Sequence, residues 1–137
     1  MRRVSVIICF FAAAGLLVSS RVVAQTPWLR LGDFGQTVYL DTTAITHHSG
    51  GVVVVELRLL GDPGPGYDRL ETQEVNCRTR QSRVTRVRIE TVGANARGDL
   101  RAPPPDTAWR SYTPGSLGAE MLDAVCAYVG RSPQPGS

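Results

Sequence analysis

The chain has no lysine, and all 15 of its basic residues are arginine. That excludes a phosphate-binding loop, which needs a lysine to reach the terminal phosphates, and any mechanism that passes through a lysine Schiff base. Histidine is nearly as scarce. His47 and His48 stand side by side before Ser49-Gly50-Gly51, where they are poorly placed to act as a base and a separate orienting group. No HExxH and no paired CxxC occurs, so a zinc site would lack its usual partners, and turn composition accounts for both histidines. Gly115-Ser116-Leu117-Gly118 looks like a nucleophile elbow, but Pro114 stands where the first glycine belongs and no suitable histidine is evident. Asp68, Glu71 and Glu74 lie close together, yet Glu71 and Glu74 are three apart and point to opposite faces of a strand. The expectation is a protein that is not an enzyme, with no catalytic residue, no cofactor and no metal.

Nor is there an apolar run long enough to span a bilayer. The longest, Val4 to Val18, follows Met1-Arg2-Arg3 and precedes Ser19-Ser20-Arg21-Val22-Val23-Ala24. A basic start, a short apolar stretch and small residues before a cut make a secretory leader, expected over residues 1–24 and removed after Ala24. Cys9 lies inside the apolar run without the small residues that precede a lipidated cysteine, and Arg2-Arg3 lacks the wider twin-arginine context. Arg2, Arg3 and Arg21 leave with the leader, so 12 arginines face 12 carboxylates and the mature chain is neutral. General nucleic-acid binding needs excess positive charge to displace counterions, so no nucleic-acid partner is expected.

Cysteine is rare too. Of three, Cys77 and Cys126 survive cleavage, in a compartment that favours oxidation. A Cys77–Cys126 disulfide is expected. Two free or metal-binding thiols are the alternative, which that compartment disfavours.

What is present reads as one small domain over residues 25–130 with a polar, disordered tail over 131–137. The clearest element is a helix from Leu117 to Val129. Ser116 supplies the N-cap, and Leu117, Met121, Leu122, Val125, Tyr128 and Val129 form the apolar stripe; Gly130 and Pro133 close it. Before it, Pro27 to Leu31 is a lead-in and Gly35 to Asp41 a strand. Val52 to Leu60 is a central strand with Val53, Val55, Leu57 and Leu59 on one face and Glu56 and Arg58 on the other. After the Gly61 to Gly66 loop, Tyr67 to Thr79 and Gln81 to Val92 form a hairpin with Val75, Cys77, Val87 and Ile89 inward. A short edge strand is expected at Asp99 to Ala102, before Pro103-Pro104-Pro105. The fold class is therefore α+β: an antiparallel sheet of five to six strands with one C-terminal helix packed on it, stapled by a disulfide.

Two surface features invite a binding role. Arg78, Arg80, Arg83, Arg86 and Arg88 lie between Cys77 and Ile89 with no acid among them. By strict alternation Arg78 and Arg80 share a face, as do Arg86 and Arg88, and pairing of the hairpin would gather the four into a patch able to fork onto sulfate or carboxylate. The simpler reading, which we prefer, is a solvated face whose arginines pair with Glu56, Glu74 and Glu90 on neighbouring strands. Arg97-Gly98-Asp99 spells the tripeptide of integrin ligands in an expected turn, although glycine and aspartate are ordinary turn residues.

Trp28, Val38-Tyr39-Leu40-Asp41, Tyr67-Asp68, Cys77 with Arg80 just after it, Trp109, Pro114-Gly115-Ser116 and Cys126 together resemble the bacterial surface-adhesin protein E family, over nearly the whole span from Trp28 to Cys126. The resemblance implies a domain exported by a Gram-negative bacterium to the periplasm or outer surface, with an antiparallel sheet, a C-terminal helix and a Cys77–Cys126 bridge. It also implies attachment to host extracellular-matrix and serum proteins. Trp28, Tyr39 and Trp109 are read as residues that pack on the sheet or cap it. The expected partner is a protein or a sulfated glycan at the cell surface or in the envelope. No stable membrane span should remain after cleavage, and an exposed strand edge would allow a homodimer. A periplasmic structural or accessory role is the alternative.

Overall fold

The structure, a computed structural model, describes residues 27–131. The leader expected over 1–24, and the tail expected over 131–137 beyond Arg131, lie outside the described residues. Seven strands and one α-helix follow in chain order: β1 (Trp28–Asp33), β2 (Thr37–Asp41), β3 (Thr46–His47), β4 (Val52–Leu60), β5 (Tyr67–Asn76), β6 (Gln81–Thr91), β7 (Arg110–Ser111) and α1 (Leu117–Val129). They form one antiparallel sheet in the order β1-β2-β4-β5-β6-β7, with β3 pairing β4 beside the end of β2. The residues expected to lead in are thus a paired edge strand, and two strands of two residues each are too short to leave any periodic signal. Asp99 to Ala102 is not a strand. The edge place beside β6 is taken instead by Arg110 and Ser111, opposite Ser82 and Gln81.

Alternation along β4 decides which face is covered. Val53, Val55, Leu57 and Leu59 are buried, and with Val38, Leu40 and Val75 they meet Leu122, Val125 and Val129 of α1. Ser116 Oγ accepts from the Ala119 N–H at 3.3 Å, as an N-cap should, which contributes about 1 kcal/mol. Gly130 N–H returns to Cys126 O at 3.0 Å. One residue of the expected stripe departs from it: Leu117 is exposed in the first turn, and Ala119 is buried instead. Gly118 also has a packing reason, since a Cβ there would sit 2.4 Å from the Tyr112 ring.

Helix α1 is a single element and the sheet is wide. Over β5 and β6 the inner face is covered by the irregular segment from 92 to 109, and beside Val87 of β6 the residues that β5 places there are mostly polar. Arg69, Glu71 and Gln73 share the inner face with Val75, in register with Leu59, Leu57 and Val55. Glu71 accepts from Arg69 Nη2 at 2.5 Å and from Gln73 Nε2 at 2.6 Å. Glu71 and Gln73 are buried, while Arg69 is partly exposed and also reaches Asp62 at 3.5 Å; its Nε is buried without a hydrogen-bond partner. Cys77 and Cys126 are bonded, as expected, with an S–S distance of 2.10 Å, tying the β5–β6 turn to the last turn of the helix.

Candidate binding surface

The opposite face of the sheet has no element over it among the described residues. Register places Trp28, Arg30 and Tyr39 there, followed by Glu56 and Arg58, then Asp68, Leu70, Thr72 and Glu74, and finally Arg83, Arg86, Arg88 and Glu90. Arg83 and Arg86 are three apart and would fall on opposite faces of a regular strand. A bulge in the β5–β6 pairing, where Thr72 faces Arg86 and Gln73 faces Val84, leaves Thr85 as the extra residue and restores both arginines to the open face.

The arginines on this face are mostly engaged. Arg58 Nε donates to Asp68 at 2.7 Å, and Asp68, only 4% exposed, also accepts from the Gly61 N–H. Arg83 holds Glu74 through two of its nitrogens, at 2.8 and 2.6 Å. Arg88 reaches Glu56 at 2.6 Å and Glu90 at 3.6 Å. Leu70 lies between Arg58 and Arg88 in register and is 3% exposed, as expected where long arginine stems cover an apolar residue. Arg86 is different: it is exposed, opposite Thr72, with no ion-pair partner among the described residues.

Both tryptophans belong to this surface through arginine. Arg58 lies over the Trp28 ring at 5.8 Å from its centroid, and Arg83 over Trp109 at 4.8 Å. The open face thus carries an arginine–indole stack towards each of two edges, with paired charges and Arg86 between. Sequence reasoning named Arg83 only as one of a run and did not link Arg58 to Trp28. The available signal was alternation in β4, which puts Arg58 on the outward face.

The other sequence candidates lie elsewhere. Residues 77–80 form the hairpin turn, so Arg78 and Arg80 do not join Arg86 and Arg88, which stand opposite Thr72 and Leu70 well along β6. Alternation fails for that pair because the strands end at Asn76 and Gln81. Arg80, with φ 55, pairs with Asp123 of α1 at 2.6 Å. Arg97, Gly98 and Asp99 form an exposed loop pinned from below by Tyr67. Its hydroxyl accepts from the Arg97 N–H at 2.7 Å and donates to Gly98 O at 2.8 Å.

Two exposed carboxyls have pKa values below the usual range. Asp33 is held down first by the Thr37 hydroxyl and then by Arg30, and Asp106 by the Ala108 N–H and then by Arg110. A lowered carboxyl favours the folded chain above its unfolded pKa, and that contribution fades as pH falls through the folded value. Both groups are solvated, and neither lies at a site of converging chemistry.

No helix among the described residues is long and apolar enough to cross a membrane. Neither the curated proteins nor the solved structures contain a match to the chain. The sequence profile of the family described as surface-adhesin protein E does match, over residues 28–127, a span that begins at the indole stacked on Arg58 and takes in the whole sheet, both cysteines and nearly all of α1. The chain belongs to the surface-adhesin protein E family.

Proposed function

We propose that the protein is an exported, non-enzymatic binding module that attaches through the open face of its sheet to an acidic protein or a sulfated glycan, of the kind found in extracellular matrix. The observation that carries this reading is Arg86. It is an exposed guanidinium without an ion-pair partner among the described residues, set on a rigid strand between engaged arginines. A guanidinium offers five N–H donors in a planar fork suited to carboxylate and sulfate. Its neighbours are already arranged by Glu56 and Glu74, so an incoming anion need not order them.

Arg86→Ala is expected to weaken binding of the purified protein to a heparin-type polysaccharide or to matrix protein about tenfold at low ionic strength, in line with loss of a charge-assisted hydrogen bond. The difference should shrink as salt is raised, because exposed charges are screened. Melting should be unchanged, since the side chain is exposed and unpaired. Undiminished binding by this variant at low salt would remove the face from consideration.

Location is the second arm of the reading. Protease added to intact cells is expected to digest the domain, placing it on the outer surface. Digestion only after the outer membrane is permeabilised would favour the periplasmic accessory role.

A further inference from the structure

The two histidines take no part in the sheet face, yet they meet an arginine at the hairpin end of the molecule. His47 ends β3, opposite Val53, and His48 follows it. Beside them lies a cavity of about 280 Å3, lined also by Arg78, by the Cys77–Cys126 bridge and by the end of α1. No aspartate or glutamate lines it. Arg78 forms no ion pair among the described residues, and its aliphatic stem lies against Gly51, where an added Cβ would stand 2.7 Å from Arg78 Cδ. The glycine therefore lets the arginine lie across the segment that carries the histidines. Among the described residues no third metal-ligating side chain gathers here, which leaves donors without a cation to serve.

The geometry points to a site for one tetrahedral oxoanion, sulfate or phosphate, gripped by the Arg78 guanidinium with the His47 and His48 imidazoles as further donors. The cavity is at the small end for ligand sites, which suits one such group. Guanidinium binds oxoanions in two parallel hydrogen bonds. An imidazole N–H donates to an oxoanion oxygen in the same way. Arg78 comes from the hairpin turn, and β4 brings only Val52 and Val53. The last acid on α1, Asp123, is taken up by Arg80.

Calorimetric titration of the purified protein with sodium sulfate tests the site. Sulfate is expected to bind. Arg78→Ala should weaken it about tenfold or more, and the variant combining His47→Ala with His48→Ala should also weaken it. A sulfated oligosaccharide forms the second arm. If Arg78→Ala weakens it and free sulfate competes, the anion is borne on a chain; if only the free ion depends on Arg78, the inorganic ion is the ligand. The site is overturned if neither sulfate nor oligosaccharide binding depends on Arg78, or if neither binds at millimolar concentration. Running the same titrations in an Arg86→Ala background removes the guanidinium assigned to the sheet face, so any dependence on Arg78 that persists belongs to this site and failure of either is separable.

Discussion

Replacing Cys77 and Cys126 together by serine is expected to lower the thermal midpoint by on the order of 20 °C. The bridge closes a loop with a sequence separation of 49 residues. On the chain-entropy account that is worth about 4 kcal/mol, because the unfolded chain regains the freedom the cross-link removed. A domain of this size shifts by roughly 5 °C for each kcal/mol. A solvated ion pair of the open face, such as Arg88 with Glu90, contributes far less, at most about 1 kcal/mol. Differential scanning calorimetry of the oxidised protein, the reduced protein and the double variant separates loss of the link from the change of side chain. A shift below roughly 5 °C would mean that the unfolded chain keeps the hairpin turn and the helix together without the bond.

Gly66→Ala is expected to destabilise the domain by about 3 kcal/mol. Gly66 has φ +87, and its missing Cβ would lie 2.4 Å from the Ala96 nitrogen and 2.8 Å from the Asn95 carbonyl carbon. Both obstacles are backbone, so no side chain can swing away. The left-handed conformation alone costs a residue with a Cβ about 1–2 kcal/mol, and forcing two segments apart adds about 1–3 kcal/mol. Gly61 isolates the first contribution. It has φ +70 and open space around it, so Gly61→Ala should cost only the conformational part. Urea unfolding of the two variants measures the difference. Hydrogen exchange at the Arg97 amide should rise in Gly66→Ala alone, because displacement of residues 95–96 pulls that amide from the Tyr67 hydroxyl. Equal losses for both variants would show that the loop yields freely.

Much of this architecture was legible in order and period. Helix α1 was readable because Ser116, the apolar spacing and Gly130 agree, and β4 because nine residues alternate without interruption. The disulfide followed from two remaining cysteines and an oxidising compartment. The failures have physical causes. Spacing to Met121 and Val125 puts Leu117 on the stripe, but the face actually buried is centred on Ala119, Leu122, Val125 and Val129, and at about 100° per residue Leu117 points away from it. The bulge at Thr85 changes the parity of β6, and one inserted residue carries no mark in composition. The segment from 92 to 109 covers the inner face over Glu71 and Gln73 through particular contacts, such as Val84 N–H to Asp106 O at 3.2 Å. Contacts of that kind have no period to read. The candidate surface was half visible: Arg86 and Arg88 were named, but their separation from Arg78 and Arg80 depends on where the hairpin stops, and strand ends are the least determined part of a pattern.

The same bridge has a consequence for how the fold withstands proteolysis. Cys77 and Cys126 bracket β6, the exposed segment from 92 to 109 and most of α1. Exposed irregular segments are where proteolytic nicking concentrates. A single cut there would yield two chains still joined through sulfur, with β5 and β6 paired along their length. The nicked species would run as one band without reductant and as two with it, and the open sheet face would stay assembled after the backbone had been severed.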